Sequence, residues 1–433
     1  MSSLTRLLTL PRPELAAELA RLWPDAVAGP GRDALPSGGA RGGRAAALQR
    51  LATIDPATYA RTRNHVDGAV TGLSPWIRHG VLSLAEVRDA ALAHVAAAEQ
   101  AAKLVSELGW REYWRQVHRV LGDGIHADIE APALRRHAPP GTTMPADVLE
   151  ARTGMRCIDA FVDRLHRTGW LHNHERMWLA SWLVHVRGVH WRVGADWFLE
   201  HLLDGDPASN HLSWQWVAGT FSAKPYLFNR ENLETHTSGV HCRDCPLLGS
   251  CDVEGSYEDL ATRIFGSPAP PAARPPLRIR PAPTDTSAAL PSRPLVWLTL
   301  DALGTTGPAV AAFPDAPRLF VLDPEWLEVE RPALKRLVFV CECLADLAGV
   351  EVLLGDPAEL VPATARRLGC DGVAVAATPC PRVRRASASI AAALPLAELP
   401  WPRFCDDTRA RDLGRFSRWW QAVATSALRP TGS

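Results

Sequence analysis

Over the first 265 residues apolar side chains recur at intervals of three and four, and strand-like alternation is nearly absent. Ser83-Leu-Ala-Glu86 has the form of a capping box, in which a hydroxyl and a carboxylate satisfy the free amides that open a helix. It precedes an Ala-rich stretch whose spacing predicts helix running on toward Leu121. Further helices are expected over Cys157–Arg167 (closed by Gly169), Glu175–Val186 and Asp196–Leu203. Beyond residue 294 the period changes. Short β-type runs at Leu295–Leu300, Arg318–Leu322, Val350–Leu354 and Gly372–Ala376 alternate with helical stretches such as Pro332–Leu347 and Pro357–Leu368. That rhythm predicts a small doubly wound α/β unit on a parallel sheet. Between the two patterns, Gly266–Pro294 holds nine prolines and no apolar period, and reads as a semi-rigid extended linker. The expected organisation is a helical domain over 1–265, a linker over 266–294 and an α/β domain over 295–433.

Composition sharpens this outline. At roughly 150 residues per domain, 433 residues suggest two or three domains. Lys+Arg and Asp+Glu are equal at 47, so any nucleic acid must be met by a local patch rather than a whole-chain field. No apolar run reaches the roughly 18 residues of a bilayer crossing, and the first residues lack an apolar core with a cleavage site, so no membrane partner is expected and the chain reads as cytoplasmic. Nine cysteines, an odd number scattered over a long chain, suit free thiols and a metal or cluster site better than a disulfide framework. All 15 His, 4 Tyr and 4 Met precede residue 266, which reinforces the division into two unlike parts. Neither a G-x-G-x-x-G fingerprint nor a P-loop is present.

The 16 tryptophans outnumber the 10 phenylalanines, and they crowd the segment Thr168 to Asn229. There, Asp204-Gly-Asp206-Pro-Ala-Ser-Asn210-His-Leu-Ser-Trp214-Gln-Trp216 sets two carboxylates, the Asn210 amide and two indoles inside thirteen residues. Such rings can be plain core. The interleaved polar groups instead suit a planar heteroaromatic cofactor, which offers stacking and hydrogen bonds together.

At these residues the chain resembles the FAD-binding domain of the DNA photolyase/cryptochrome family. The resemblance runs in family order through Gly43-Arg-Ala-Ala-Ala-Leu, Tyr59-Ala-Arg-Thr-Arg-Asn64, Thr71-Gly-Leu-Ser-Pro75, Gly80-Val-Leu-Ser83, Glu107-Leu-Gly-Trp-Arg-Glu112, Thr153-Gly-Met, Gly169-Trp-Leu-His-Asn173, Arg176-Met177, Asp204-Gly-Asp206, Asn210, Trp214-Gln-Trp216 and Lys224-Pro-Tyr-Leu-Phe-Asn229. It implies an α-helical FAD-binding domain followed by the smaller α/β unit. It further implies that Tyr59 and the Thr71, Gly72, Leu73, Ser74 loop hold the FAD phosphates and that Arg111 touches the cofactor. By the same resemblance, Asp204 pairs with Arg176 beside the isoalloxazine, Asp206 bonds its polar edge, and Asn210 faces flavin N5, where plant cryptochromes have Asp and animal ones Cys. The lesion pocket of photolyases that repair cyclobutane pyrimidine dimers maps onto Glu107, Trp110, Asn173, Met177 and Trp216 as the catalytic set. His172 and His174, which flank Asn173, are read as ordinary polar histidines near a helix start. Trp214 and Trp191 match the flavin-proximal members of the family's electron-transfer chain, while Val120 to Leu165 contains no Trp or Tyr to serve as the distal one.

Cys242-Arg-Asp-Cys245-Pro-Leu-Leu-Gly-Ser-Cys251 is a C-x2-C-x5-C cluster that lacks a fourth ligand. Cluster-bearing bacterial photolyases resemble this chain in carrying a Cys at the position of Cys157, which implies a [4Fe–4S] cluster on Cys157, Cys242, Cys245 and Cys251. Zinc is the rival occupant. Cys341, Cys343, Cys370, Cys380 and Cys405 lie on apolar segments and are expected in cores. The α/β part resembles the family's antenna domain, which ordinarily precedes the FAD domain, and so suggests circular permutation. Because Asp301-Ala-Leu-Gly-Thr-Thr306 replaces the usual charged motif after the first strand, a bound antenna chromophore and a purely structural domain are both open readings. The activity implied is blue-light-driven repair of UV-damaged DNA by a monomeric deoxyribodipyrimidine photolyase, with excited reduced FAD as electron donor. The alternative is a cryptochrome-like photoreceptor without repair.

Overall fold

A computed structural model describes residues 4–35, 40–132, 134, 139–265, 277–281 and 290–431. The helical part forms for local reasons that the sequence displays. Ser83 caps the Leu84–Ala93 helix by accepting the Glu86 amide at 3.1 Å, and Asp55 caps Pro56–Thr62 by accepting the Thr58 amide at 2.9 Å. Gly169, at φ +67°, closes the Arg156–Thr168 helix in a left-handed conformation that a Cβ would strain.

Helix does not run unbroken from Ser83 to Leu121. It stops at Ala93 and resumes as Ala102–Leu121, because the intervening His-Val-Ala-Ala-Ala-Glu-Gln-Ala offers no continuing apolar stripe and the chain turns a corner instead. Two further expected helices start earlier than their apolar pattern indicates. Asn173–Ser181 opens on a His172 cap and passes into a π-helical turn at Trp182–Val186. Trp191–His201 opens on His190, whose Nδ1 accepts the Arg192 amide at 3.1 Å.

The α/β part is a five-stranded, fully parallel sheet of order β3-β2-β1-β4-β5, with β1 Pro294–Leu298, β2 Arg318–Leu322, β3 Val350–Leu354, β4 Gly372–Ala376 and β5 Leu396–Leu399. The central strands β1 and β4 are buried at every position, as a parallel sheet covered on both faces requires. Edge strand β5 has only one buried residue, and this mixed pattern hid it from the sequence reading. At the opposite edge, the Leu4 amide donates to the Val352 carbonyl at 2.9 Å and the Val352 amide donates to Thr5 Oγ1 at 3.0 Å, so β3 meets the first residues of the chain. Of the proline-rich segment, residues 266–276 and 282–289 lie outside the described residues, while Ile279 is buried and accepts the Leu413 amide at 2.7 Å.

The two parts share a core. Leu7, Leu15 and Leu19 pack in the same apolar cluster as Leu337, Phe339 and Trp419, and the Phe416–Ala427 helix lies against Ala102–Leu121. Polar pins cross the seam: buried Lys335 donates to the carbonyls of Gly31 and His166 at 2.5 and 2.8 Å, and Arg32 donates to the Arg331 carbonyl at 2.7 Å. A second core gathers Trp178, Trp182, Trp191, Trp197 and Trp214, so much of the tryptophan excess is packing. Among the described residues no helix is long and apolar enough to cross a membrane.

Candidate functional site

The Ala102–Leu121 helix faces Pro207–Ala218, and between them, closed by Asn173–Ser181 and Trp191–His201, lies a cavity of about 470 Å³. Its walls bring together Glu107, Trp110, Arg111, Asn173, Arg176, Met177, Asp204, Asn210, Trp214 and Trp216, residues singled out from the sequence in six separate motifs. Helical spacing explains part of this convergence: Glu107, Trp110, Arg111 and Trp114 recur at three and four along one face.

Charge alternates along one wall. Arg176 donates to both oxygens of Asp204 at 2.9 and 3.1 Å, and Arg111 donates to Asp206 at 3.2 Å. Burial alone would raise both carboxyl pKa values. Instead, Arg176 and Arg111 hold Asp204, and Arg78 and Arg111 hold Asp206, below the usual carboxylate range. Asp206 does not line the cavity itself. It caps the Pro207–Ala218 helix by accepting the Ala208 and Ser209 amides and the Ser209 hydroxyl, which fixes the turn carrying Asn210. Asn210 is 9% exposed and its Nδ2 donates to the Ala195 carbonyl at 2.7 Å, so the amide cannot rotate freely. The Arg176–Asp204 pair, Arg111 and a fixed amide present both donors and acceptors, a set that fits the mixed N–H and C=O edge of an isoalloxazine.

The mouth is differently built. Asn173 is exposed, with Nδ2 3.3 Å from Met177 Sδ, and Glu107 is bracketed by Lys103 at 2.9 Å and Arg63 at 3.2 Å. Tyr59 is not part of the lining. Burial, then the Glu107 charge, raises its phenol pKa, and a hydrogen bond ties it to Arg63. The Thr71–Ser74 loop also lies outside the lining: the Thr71 carbonyl accepts Arg50 Nε at 2.6 Å, Gly72 adopts φ +63° with a notional Cβ 3.3 Å from that guanidinium, and Leu73 is fully buried. Ser74 accepts Trp170 Nε1 at 3.3 Å and hydrogen-bonds Asp204, which connects the loop to the cavity wall. Trp191 is likewise removed from the lining and donates to Asp128 at 2.7 Å. It stands one turn before Gly194, where an added Cβ would sit 2.3 Å from the Trp214 ring, so Trp214 packs flush on that helix.

His172 and His174 stand at a helix start, as expected, and neither is exposed. His172 caps the helix with Nδ1, His174 stacks between His172 and His236 at centroid distances of 5.7 and 5.0 Å, and burial pushes both pKa values down to about 4.

Three features escaped the sequence reading. Arg63 lies inside a quoted motif but had no assigned role. Lys103 precedes Glu107 by four residues, a legible helical ion pair. Phe416, some three hundred residues from Trp110, stacks on it at 3.8 Å and 12°, and no local signal could have joined them. A further cavity of about 430 Å³ opens between the two parts, lined by Arg115, Arg119, Trp401, Arg403 and the ends of β4 and β5.

Cys157, Cys242, Cys245 and Cys251 line one small apolar cavity of about 10 Å³, so the helix carrying Cys157 does meet the later cluster. Burial pushes the Cys242 thiol up to about 11 and that of Cys157 higher still. Among the described residues no three His, Cys, Asp or Glu side chains are arranged to hold a metal ion. Cys343 and Cys405 are buried in the shared core, as expected, whereas Cys341, Cys370 and Cys380 are only partly buried.

A family profile described as the FAD binding domain of DNA photolyase matches residues 104–237, which contain most of the cavity wall. A deoxyribodipyrimidine photo-lyase of Streptomyces griseus is 36% identical over 207 residues, covering 46% of this chain and 45% of that protein. A cryptochrome DASH of Danio rerio is 34% identical over 192 residues, covering 41% and 36%. The chain therefore spans less than half the length of these relatives. Among solved structures, a bacterial class III photolyase from Agrobacterium tumefaciens aligns at 27% identity and TM-score 0.41, over 47% of this chain and 44% of that one.

Proposed function

From the premise that this chain belongs to the DNA photolyase and cryptochrome family, we propose that it is a light-dependent lyase that opens cyclobutane pyrimidine dimers in UV-damaged DNA. The observation that carries this reading is that one cavity is lined both by the flavin-side set Arg111, Arg176, Asp204 and Asn210 and by the lesion-side set Glu107, Trp110, Asn173, Met177 and Trp216. Reduced FAD, when bound, would supply the photoexcited electron and take it back.

The chain supplies geometry. Asp204 and Asn210 orient the flavin edge, Asp206 acts through the turn that carries Asn210, and Tyr59 and Thr71–Ser74 lie toward the phosphates. Trp110 and Trp216 form an apolar wedge for the flipped lesion, whose extrusion costs less for a damaged, poorly stacked pair. Glu107 and Asn173 meet the base edges, and Arg63 and Lys103 bring positive charge to the mouth, where phosphates must pass. Trp214, on the wall, and Trp191, one turn from its contact point, would carry charge during photoreduction.

Cys157, Cys242, Cys245 and Cys251 would hold a [4Fe–4S] cluster, supported by their placement around a single cavity. The α/β part would be the family's antenna-type domain in permuted order, and the protein would act as a monomer.

Purified protein with fully reduced flavin, illuminated with dimer-containing DNA, should restore normal bases; none restored removes repair. The second reading, a photoreceptor without repair, is favoured by the cryptochrome DASH relatives and predicts that outcome while flavin photochemistry persists.

A further inference from the structure

The Asp204-Gly205-Asp206 turn carries both flavin-side carboxylates, and it is gripped from outside its own unit. Arg336, on the Leu334–Ala345 helix of the α/β part, donates to the Gly205 carbonyl at 3.2 Å and to Glu330 at 2.9 Å. Arg78 donates to the same carbonyl through Nε at 2.8 Å. The other end of Arg78 is ion-paired to Asp301, just beyond the carboxyl end of β1, and Asp301 also accepts the Thr378 hydroxyl from the end of β4. These strands are neighbours at the point where strand order reverses, the crevice in which doubly wound sheets usually receive ligands. Here only about 50 Å³ of that crevice remains open, and Arg78, Asp206, Asp301 and Glu330 line it.

The charges therefore alternate from sheet to cavity: Asp301, Arg78, Asp206, Arg111, Asp204, Arg176. Asp301 is 13% exposed in its side chain and Arg78 is 6% exposed, so their field is poorly screened by water. The close packing leaves no room for a larger residue at Gly205, where an added Cβ would lie 3.2 Å from Arg336 and 2.9 Å from the Leu202 carbonyl.

We propose that Asp301 is a positioning residue for the flavin site, acting through Arg78 on Asp206, so that the α/β unit sets the electrostatics of a cofactor it does not touch. This rests on the reading that the helical cavity holds FAD. Asp301→Asn keeps the shape but removes the terminal charge, leaving Arg78 less compensated beside the Asp204–Asp206 turn.

The test is the FAD dissociation constant and the reduction potential of bound flavin, measured by titration at full occupancy for the wild type, Asp301→Asn and Thr378→Val. Expected are about tenfold weaker FAD binding and a more positive potential in Asp301→Asn, with Thr378→Val moving both the same way by less. A merely structural role would lower thermal stability without moving the potential. A folded Asp301→Asn with wild-type affinity and potential overturns the proposal. If that variant fails to fold, Thr378→Val decides alone by the same two readouts. Failure of the wild type to take up FAD is a different result and defeats the FAD reading itself.

Discussion

Two cavities in the helical part place opposite demands on the chain. The larger, about 470 Å³, carries its charges in ion pairs along one wall, Arg176 on Asp204 and Arg111 on Asp206 behind it. The smaller, about 10 Å³, gathers four thiols in apolar surroundings, and burial drives Cys157, Cys242 and Cys251 toward the neutral form against the opposing pull of Arg230 on the last two. The first site is preorganised by electrostatics. Any metal taken up by the second would have to draw protons off these thiols, which would tie its loading to pH and to folding.

The sharpest way to break the contrast is at the mouth of the large cavity. Glu107→Gln should cut light-driven repair about ten- to a hundredfold, the cost of one lost charge-assisted contact, while FAD content and melting temperature stay near wild type. Repair assays beside flavin absorbance check this. At the small cavity the opposite pattern is expected. Cys157→Ala should abolish iron content and the broad absorbance near roughly 400–420 nm. It should also lower the melting temperature by about 5–10 °C, as loss of a folding-coupled centre does. Retained zinc in place of iron would reassign the occupant.

Phe416→Ala should be gentler, costing about 1–2 kcal/mol of stability from a half-buried stacked ring, with lesion affinity reduced a few-fold because Trp110 loses its backing; chemical denaturation and DNA titration measure the two effects.

The smallest effects are expected from pH, and they run in opposite senses. His172 and His174 are neutral in the folded chain down to about 4, so between about 6.5 and 4 the unfolded chain binds more protons and stability falls as pH drops. Cys242 stays neutral up to about 11, so in metal-free protein its contribution is complete below about 9 and is lost as pH rises above that. Melting curves across both ranges check the signs, and His174→Asn should make the acid side less steep while leaving the alkaline side unchanged.

Legibility in the sequence followed the range of each interaction. Strands β2, β3 and β4 match their apolar runs end for end, whereas β1 runs Pro294–Leu298 and stops short of the expected Leu300. The Ala-rich stretch before Leu121 concealed a break, since alanine favours helix without specifying a face. Most of the cavity wall was legible because motifs on separate segments keep a family order. Phe416 on Trp110 and Asp301 on Arg78 were not, because those partners are distant in sequence and meet only when the two units share a core.

The pairing of Leu4 and Thr5 with Val352 has a consequence for solubility. β3 ends the sheet, and its unpaired amides and carbonyls would otherwise offer a template to another molecule. Those opening residues act as a guard rail, so an engineered chain trimmed before Leu10 should aggregate well before it loses its helical cavity.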